Sequence, residues 1–258
     1  RSYFQAGIAM IRLGDYAGAD EMISKADELH PRYVLETGPW REQGWVTAYN
    51  DGIVPLNAGD LEGALAIFEG ADALYQERPE AMLQMGSIYA RLGRPEESAE
   101  VFQRAMVILE DTKEVAMMDT AQAPFWEQNW EIATTGLGQA LQLSEQYQEA
   151  ADLYGQLLEE RPDDPALIGG LASVLTELEM PDSVDALYDK LLNRPGLTEF
   201  DLSNAGVGLY RIQQYERAAQ AFRGAADMNP FNRDARLNLT NALFGAEDWE
   251  GLIPAAEE

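Results

Sequence analysis

The stretch from Asp201 to Pro230 reads DLSNAGVGLYRIQQYERAAQAFRGAADMNP and predicts two helices of about a dozen residues each, joined at Gln213-Gln214. The helical period brings apolar and small residues onto one face of each helix. These residues are Leu202, Ala205, Gly206 and Leu209 in the first helix and Ala218, Phe222 and Ala225 in the second. Because so short a pair cannot bury both faces alone, we expect similar pairs on either side of it.

The same pattern recurs about every 34 residues in both directions along the chain. Small residues recur at the point where the paired helices should cross. They are Gly7, Gly86, Gly138 and Gly206 in the first helices and Ala19, Ala64, Ala150 and Ala218 in the second helices. A larger side chain at such a crossing would overpack it at a cost of about 1–3 kcal/mol. Pro55 departs from the pattern, because it falls inside a first helix and should kink it.

A helix–turn–helix unit with this period and these residues resembles the tetratricopeptide (TPR) repeat. The resemblance covers nearly the whole chain and implies an all-α fold, a right-handed superhelical solenoid of TPR-like helix–turn–helix repeats. In proteins of this family the first helices line the concave side of the superhelix, and ligand peptides lie along that groove.

The repeat frame divides the chain into seven units and two interruptions. We expect repeats at 1–33, 45–78, 79–112, 131–164, 165–198 and 199–232, a partial repeat at 233–258, a connector at 34–44 and an insertion rich in Trp and Met at 113–130. The chain begins inside a first helix and ends within a repeat. We therefore expect that it is a piece of a longer protein.

The composition is that of an ordinary water-soluble protein with an unusually acidic surface. Of the 258 residues, 45 are acidic and 18 basic, which gives a formal net charge of −27. This balance argues against nucleic acid and against anionic membrane surfaces as partners. No apolar run approaches the roughly 18 residues of a membrane span, and no targeting segment is visible. Cytoplasmic and periplasmic locations both fit.

The sequence offers little that could catalyse a reaction. There is no cysteine, and the one histidine, His30, occupies a polar slot before a proline that closes a repeat. Glycine-rich phosphate loops and the common zinc-protease and serine-hydrolase motifs do not occur. We therefore expect no enzymatic activity, no cofactor and no metal site.

The first helices supply candidate partner-binding residues, because one face of each should line the groove. The apolar and polar candidates include Tyr49, Leu83, Ser87, Gln139, Phe200, Val207, Tyr210, Leu237, Asn241 and Phe244. A second row on the same helices is formed by the amides Asn50, Gln84, Asn204 and Asn238. An amide offers both a donor and an acceptor to a peptide backbone. The alternative is that asparagine is merely common at this position of the repeat.

The insertion is a further candidate, because Trp126 and Trp130 lie in it. One interpretation is that the rings fill the joint where repeats do not stack regularly. The other is that they form a docking surface, since Trp and Met often anchor interfaces.

These observations favour a protein–protein interaction scaffold that binds a partner segment in the concave groove. The groove is more apolar than the acidic chain as a whole, so we expect a protein or peptide partner with apolar anchors and basic flanks. The alternative is a structural subunit permanently built into a larger multiprotein assembly. A regulatory part of an enzyme is a weaker alternative, and the sequence leaves the oligomeric state open.

Overall fold

The computed structural model describes residues 1–162 and 164–257. Within these residues the chain forms fourteen α-helices, one short 3-10 helix and no strand, which confirms the all-α prediction. It divides into two compact units, an N-terminal unit of Arg1–Ser144 and a C-terminal unit that begins at Glu145. The boundary falls inside the predicted repeat 131–164, so that the first helix of this repeat belongs to one unit and the second helix to the other.

The N-terminal unit contains seven α-helices and the 3-10 helix. Their bounds are α1 Ser2–Leu13, α2 Tyr16–Leu29, the 3-10 helix Pro31–Tyr33, α3 Val34–Ala58, α4 Leu61–Leu74, α5 Glu80–Arg91, α6 Pro95–Met118 and α7 Ala123–Leu143. The described part of the C-terminal unit contains the other seven. Their bounds are α8 Tyr147–Glu160, α9 Pro165–Glu177, α10 Pro181–Leu192, α11 Glu199–Arg211, α12 Tyr215–Met228, α13 Arg233–Gly245 and α14 Trp249–Glu257.

The small residues predicted at the helix crossings lie where the helices approach most closely. Ala19, Ala64, Ala150 and Ala218 are completely buried. A Cβ atom placed on Gly206 would lie 2.7 Å from the ring of Phe222, well inside van der Waals contact. The same distance separates a Cβ on Gly86 from Phe102. These positions require small side chains because the aromatic ring of the second helix packs directly on the backbone of the first.

The predicted connector at 34–44 is helical. It forms the beginning of α3, a helix of 25 residues that continues through Pro39 and Pro55 to Ala58. Side-chain contacts hold this segment against α2. Arg41 pairs with Asp20 and, at 3.4 Å, with Asp27. The buried hydroxyl of Thr37 donates a hydrogen bond of 2.9 Å to Asp27.

The predicted insertion at 113–130 is also mostly helical, because it extends the two helices on either side of it. Helix α6 continues to Met118, and α7 begins at Ala123, so only a tight turn separates them. The rings of Trp126 and Trp130 stack with centroids 5.1 Å apart, and both are buried. The indole nitrogen of Trp126 donates a hydrogen bond of 2.8 Å to the carbonyl of Leu109. This packing favours the interpretation that the rings fill the joint.

Each unit has its own apolar core along the line where first and second helices meet. In the C-terminal unit Tyr188, Leu209 and Phe222 lie at the centre of a cluster that also includes Ala218 and Leu243. None of the described helices is both long enough and apolar enough to cross a membrane.

Candidate protein-interaction grooves

The C-terminal unit contains a small pocket between its first helices α11 and α13. The pocket has a volume of about 150 Å³, and its floor is the ring of Phe222. Four of the residues that line it are sequence candidates for partner binding, namely Val207, Tyr210, Asn238 and Asn241, and Arg211 completes the set. The structure thus brings these four candidates together at one site, which we call the C-terminal pocket.

Exposed apolar side chains extend from this pocket along both helices. Phe200 precedes it on α11 and is 66% exposed, while Leu237 and Phe244 lie on α13 and are also exposed. Asn204 is half-buried on α11, outside the pocket lining. This row of exposed apolar groups provides surface that a partner could bury.

Two aromatic contacts join the ends of first helices to the helices that follow them, and one of the two involves the pocket residue Tyr210. The ring of Tyr210 meets that of Tyr215 edge to face, with centroids 5.1 Å apart. Phe244 makes a similar contact of 5.5 Å with Trp249. In both cases the partner ring is the first residue of the following helix. Sequence reasoning named neither Tyr215 nor Trp249 as a partner-binding candidate. The shared position of the two aromatics after the turn was the signal that could have identified them.

The N-terminal unit has a corresponding pocket between α5 and α7, which we call the N-terminal pocket. Its volume is about 490 Å³ and its floor is Phe102. The candidates Ser87 and Gln139 line it, together with Ala90, Gly136 and other residues of the same two helices. The pocket is wider than its C-terminal counterpart because small side chains stand at the positions of Tyr210 and Asn238.

The remaining N-terminal candidates lie in a second cleft or beside it. Tyr49 and Gln84 line a cleft of about 900 Å³ that also reaches Trp126. The Tyr49 ring stacks on Trp45 with centroids 5.2 Å apart, and burial raises the pKa of its hydroxyl above the ordinary value. Asn50 is exposed, and it lies outside the lining of this cleft.

Three candidates are core residues in this structure. Leu83 does not face the groove, because α5 is packed by α4, α6 and α7 and leaves only 3% of this side chain exposed. Trp126 and Trp130 are buried in the α6–α7 hairpin, although an edge of Trp126 still lines the large cleft. Periodicity identifies the face of a helix, but it cannot show which further helix covers that face.

The linings of the two pockets contain few side chains of the types that ligate metal ions. Within the described residues, no group of three His, Asp or Glu side chains is placed to hold a metal ion. The lining consists mainly of apolar surface, amides and an arginine in each pocket.

Two tetratricopeptide repeat family models match the chain, one at residues 56–120 and 141–195 and the other at 204–257. Together these ranges cover about two thirds of its length. The chain belongs to the tetratricopeptide repeat family. Proteins of this family are in general non-enzymatic interaction scaffolds, and protein–protein interaction is the general function that the repeats indicate here.

The chain is similar to several solved structures at low sequence identity. The MamA RS-1 ArsTM double mutant has a TM-score of 0.50 and 17% identity, over 73% of this chain and 96% of that one. PilF of Pseudomonas aeruginosa has a TM-score of 0.48 and 16% identity, over 83% and 90% of the two chains. YrrB, described as a TPR protein with an unusual peptide-binding site, has a TM-score of 0.44 and 18% identity, over 82% and 94%. Curated protein sequences gave no match.

Proposed function

We propose that this tetratricopeptide repeat protein is a scaffold that binds a segment of a partner protein in the groove lined by its first helices. It acts without catalysis of its own. The observation that carries the proposal is the convergence of Val207, Tyr210, Asn238 and Asn241 on one pocket, with exposed Phe200 beside it.

The pocket supplies two kinds of contact to such a segment. Burying an aromatic side chain such as Phe200 or Tyr210 against a partner is worth about 1.5–3 kcal/mol. Asn238 and Asn241 each present a donor and an acceptor, so they can pair with a peptide backbone whatever its side chains are.

The charge of the chain indicates which residues should flank the apolar anchors in the partner segment. A net charge of −27 attracts basic segments and repels acidic ones. We therefore expect apolar anchors flanked by Lys or Arg, with the flanking charges acting mainly on the association rate and its salt dependence.

The test begins with capture of partners from a lysate of the source organism and continues with binding measurements on the purified pair. Tyr210→Ala and Phe200→Ala should each weaken binding about tenfold or more while leaving the helix content unchanged, because neither side chain is part of the core. The matched control is Phe231→Ala, since Phe231 is 93% exposed in the same unit and does not line the pocket. Normal binding by both groove variants would show that the proposal is wrong.

A further inference from the structure

The insertion builds a cleft that the repeat pattern by itself does not predict. The cleft has a volume of about 900 Å³ and lies within the N-terminal unit. Its walls come from α3, the start of α5, the last turns of α6 and the first half of α7. Helix α6 has 24 residues, whereas its counterpart α12 has 14, so the extra turns supply much of this wall. We call this site the insertion cleft.

The apolar part of the insertion cleft combines a buried floor with exposed walls. Trp126 and Leu109 are buried and line the floor. Val115 on α6 and Phe125 on α7 also line the cleft, yet they are 69% and 70% exposed. Ile132 on α7 continues the apolar wall. Exposed apolar side chains around a concave buried floor are the surface on which an aromatic or aliphatic anchor can be buried.

The charged groups of the insertion cleft have an excess of negative charge. The lining holds the acids Glu80 and Asp111 and one cation, Arg78. Arg78 is already held, because its guanidinium donates to Oε1 of Glu80 at 3.0 Å and lies 4.3 Å from the centroid of the Trp45 ring. The other oxygen of Glu80, Oε2, is inaccessible and accepts no hydrogen bond from any described residue. Glu80 is therefore closed to a ligand, whereas Asp111 is exposed and can receive a cationic donor from a ligand.

Amide side chains complete the lining. Gln84, Gln122, Gln128 and Asn129 come from α5 and α7 and the turn before it. Amides can pair with the backbone of an extended segment, whereas a helical segment has already satisfied its own backbone groups.

From this combination we propose that the insertion cleft binds an extended segment of a partner protein, in which an aromatic or aliphatic anchor is followed closely by Lys or Arg. The site is separate from the groove residues of the C-terminal unit, so the partner engaged here gains contacts that the repeat groove does not provide. Charge complementarity with Asp111 selects the basic residue, and the apolar floor selects the anchor.

The first experiment measures binding of fluorescent peptides to the whole chain by anisotropy. The panel consists of capped extended peptides of about ten residues with a central Phe, Leu, Met or Trp next to two Lys, and matched peptides with Glu in place of Lys. Val115→Asp should weaken binding of the best Lys peptide about tenfold or more, since it places a charge on the apolar wall. Val107→Asp is the control, because Val107 lies on the same helix, is 59% exposed and does not line the cleft. Equal effects of the two variants would overturn the proposal.

The second experiment tests the charge requirement with variants that keep their shape. Asp111→Asn should weaken the Lys peptide several-fold and reduce the preference for Lys over Glu, whereas Glu114→Gln on the same exposed helix end should not. A Lys peptide and a Glu peptide that bind equally well to the unmodified chain would contradict the proposal, as would failure of every peptide to bind below about 1 mM.

A third comparison separates this cleft from the groove of the proposed function. Tyr210→Ala should leave binding of the best Lys peptide unchanged. If Tyr210→Ala abolishes binding while Val115→Asp has no effect, the peptides use only the C-terminal pocket and the insertion cleft is not a docking site.

Discussion

The two units place a pocket at the same point of the repeat, and the two pockets differ about threefold in volume, 490 Å³ against 150 Å³. Every residue of the smaller C-terminal pocket has a counterpart in the N-terminal pocket. The counterparts are Ser87 for Val207, Ala90 for Tyr210, Arg91 for Arg211, Phe102 for Phe222, Gly136 for Asn238 and Gln139 for Asn241. The floor and the arginine are the same in both. Side chains that fill the space between the first helices or leave it open contribute to the difference. The N-terminal pocket also extends further along α7, to Glu131, Ile132, Thr135 and Leu143.

The shared phenylalanine shows which part of the pocket belongs to the scaffold. Phe102 and Phe222 are both almost fully buried, and each packs on a glycine of the first helix. Phe102 is also so close to Gly136 that a Cβ atom there would lie 2.3 Å from its ring. The floor is consequently a core element that both units need for stability. The wall residues, in contrast, can vary with the ligand.

The largest expected effect comes from removing these two floors. Phe102→Ala and Phe222→Ala should each destabilise their unit by about 3–5 kcal/mol, because a large buried ring leaves a cavity in the core. Denaturant unfolding, monitored by hydrogen exchange of the backbone amides in the affected unit, measures the loss of stability. Phe231→Ala is the exposed control and should cost about 0.5 kcal/mol or less. If Phe102→Ala or Phe222→Ala costs no more stability than Phe231→Ala, the two phenylalanines do not have the same structural role in their pockets.

A smaller effect is expected from exchanging the wall residues. Ala90→Tyr should fill the N-terminal pocket as Tyr210 fills the C-terminal one. Peptides that place a Trp side chain in this pocket should then bind about tenfold more weakly, because the added ring occupies the space that the large anchor needs. The affinity of peptides with a Val anchor should change little. Titration calorimetry of the two peptides measures the difference, and Ala90→Ser is the control. Equal losses for both anchors would mean that the added ring disturbs the helices instead of resizing the pocket.

The sequence predicts the repeat fold well because the fold depends on a local period. The predicted joint at Gln213-Gln214 falls between the end of α11 and the start of α12, and the small crossing residues are buried as expected. Side-chain exposure was harder to predict. Leu83 has the right spacing for the groove, but α5 packs against three other helices and this side chain is buried. The sequence did not predict that the connector and the insertion are parts of long helices. The 34-residue period shows where the repeat pattern is interrupted, but it does not show which structure the interrupting residues adopt.

The starts of corresponding first helices offer the next comparison. Helix α11 begins with a capping box, in which Thr198 accepts from the backbone of Asp201 and Asp201 accepts from the backbone of Thr198. Helix α5, its counterpart, begins at Glu80 with Pro79 at the N-cap position and no side-chain cap. The hydrogen bond from the Thr198 backbone holds the pKa of Asp201 below its ordinary value, and the Thr198 hydroxyl and Arg194 act in the same direction.

A lowered pKa means that Asp201 stabilises the fold while it is ionised. This contribution is present above the unfolded-state pKa of about 4 and is lost as the pH falls through the lower folded-state pKa. Asp201→Asn should therefore cost about 1 kcal/mol at pH 7, and the cost should shrink as the pH falls and the carboxyl of Asp201 becomes protonated in the folded state. Thermal unfolding measured at pH 7 and at successively lower pH gives this difference in stability. The control is Asp227→Asn, because Asp227 is an exposed acid on α12. A deficit that persists unchanged at low pH would rule out the ionised cap as its source.

The smallest effect concerns the turn within each repeat, where the two units use different residues for the same backbone conformation. The N-terminal unit places glycine at positive φ, at Gly14, Gly59 and Gly93. The C-terminal unit places longer side chains there, with φ between 56° and 62° at Glu145, Glu179, Gln213 and Glu247. A residue with a Cβ atom pays about 1–2 kcal/mol for this left-handed conformation, partly offset because glycine loses more entropy on folding.

Glycine should therefore be preferred at this turn in both units. Gly93→Ala should destabilise the N-terminal unit by about 1 kcal/mol, and Gln213→Gly should stabilise the C-terminal unit by about 0.5 kcal/mol. The control is Gly155→Ala, because Gly155 lies within α8 with open space around its missing Cβ and no positive φ. There alanine should stabilise by about 0.5–1 kcal/mol, the opposite sign to Gly93→Ala. The melting temperatures of the three variants measure these changes in stability. If Gln213→Gly destabilises, the glutamine side chain contributes contacts that outweigh its backbone strain, and the turns of the two units are not equivalent.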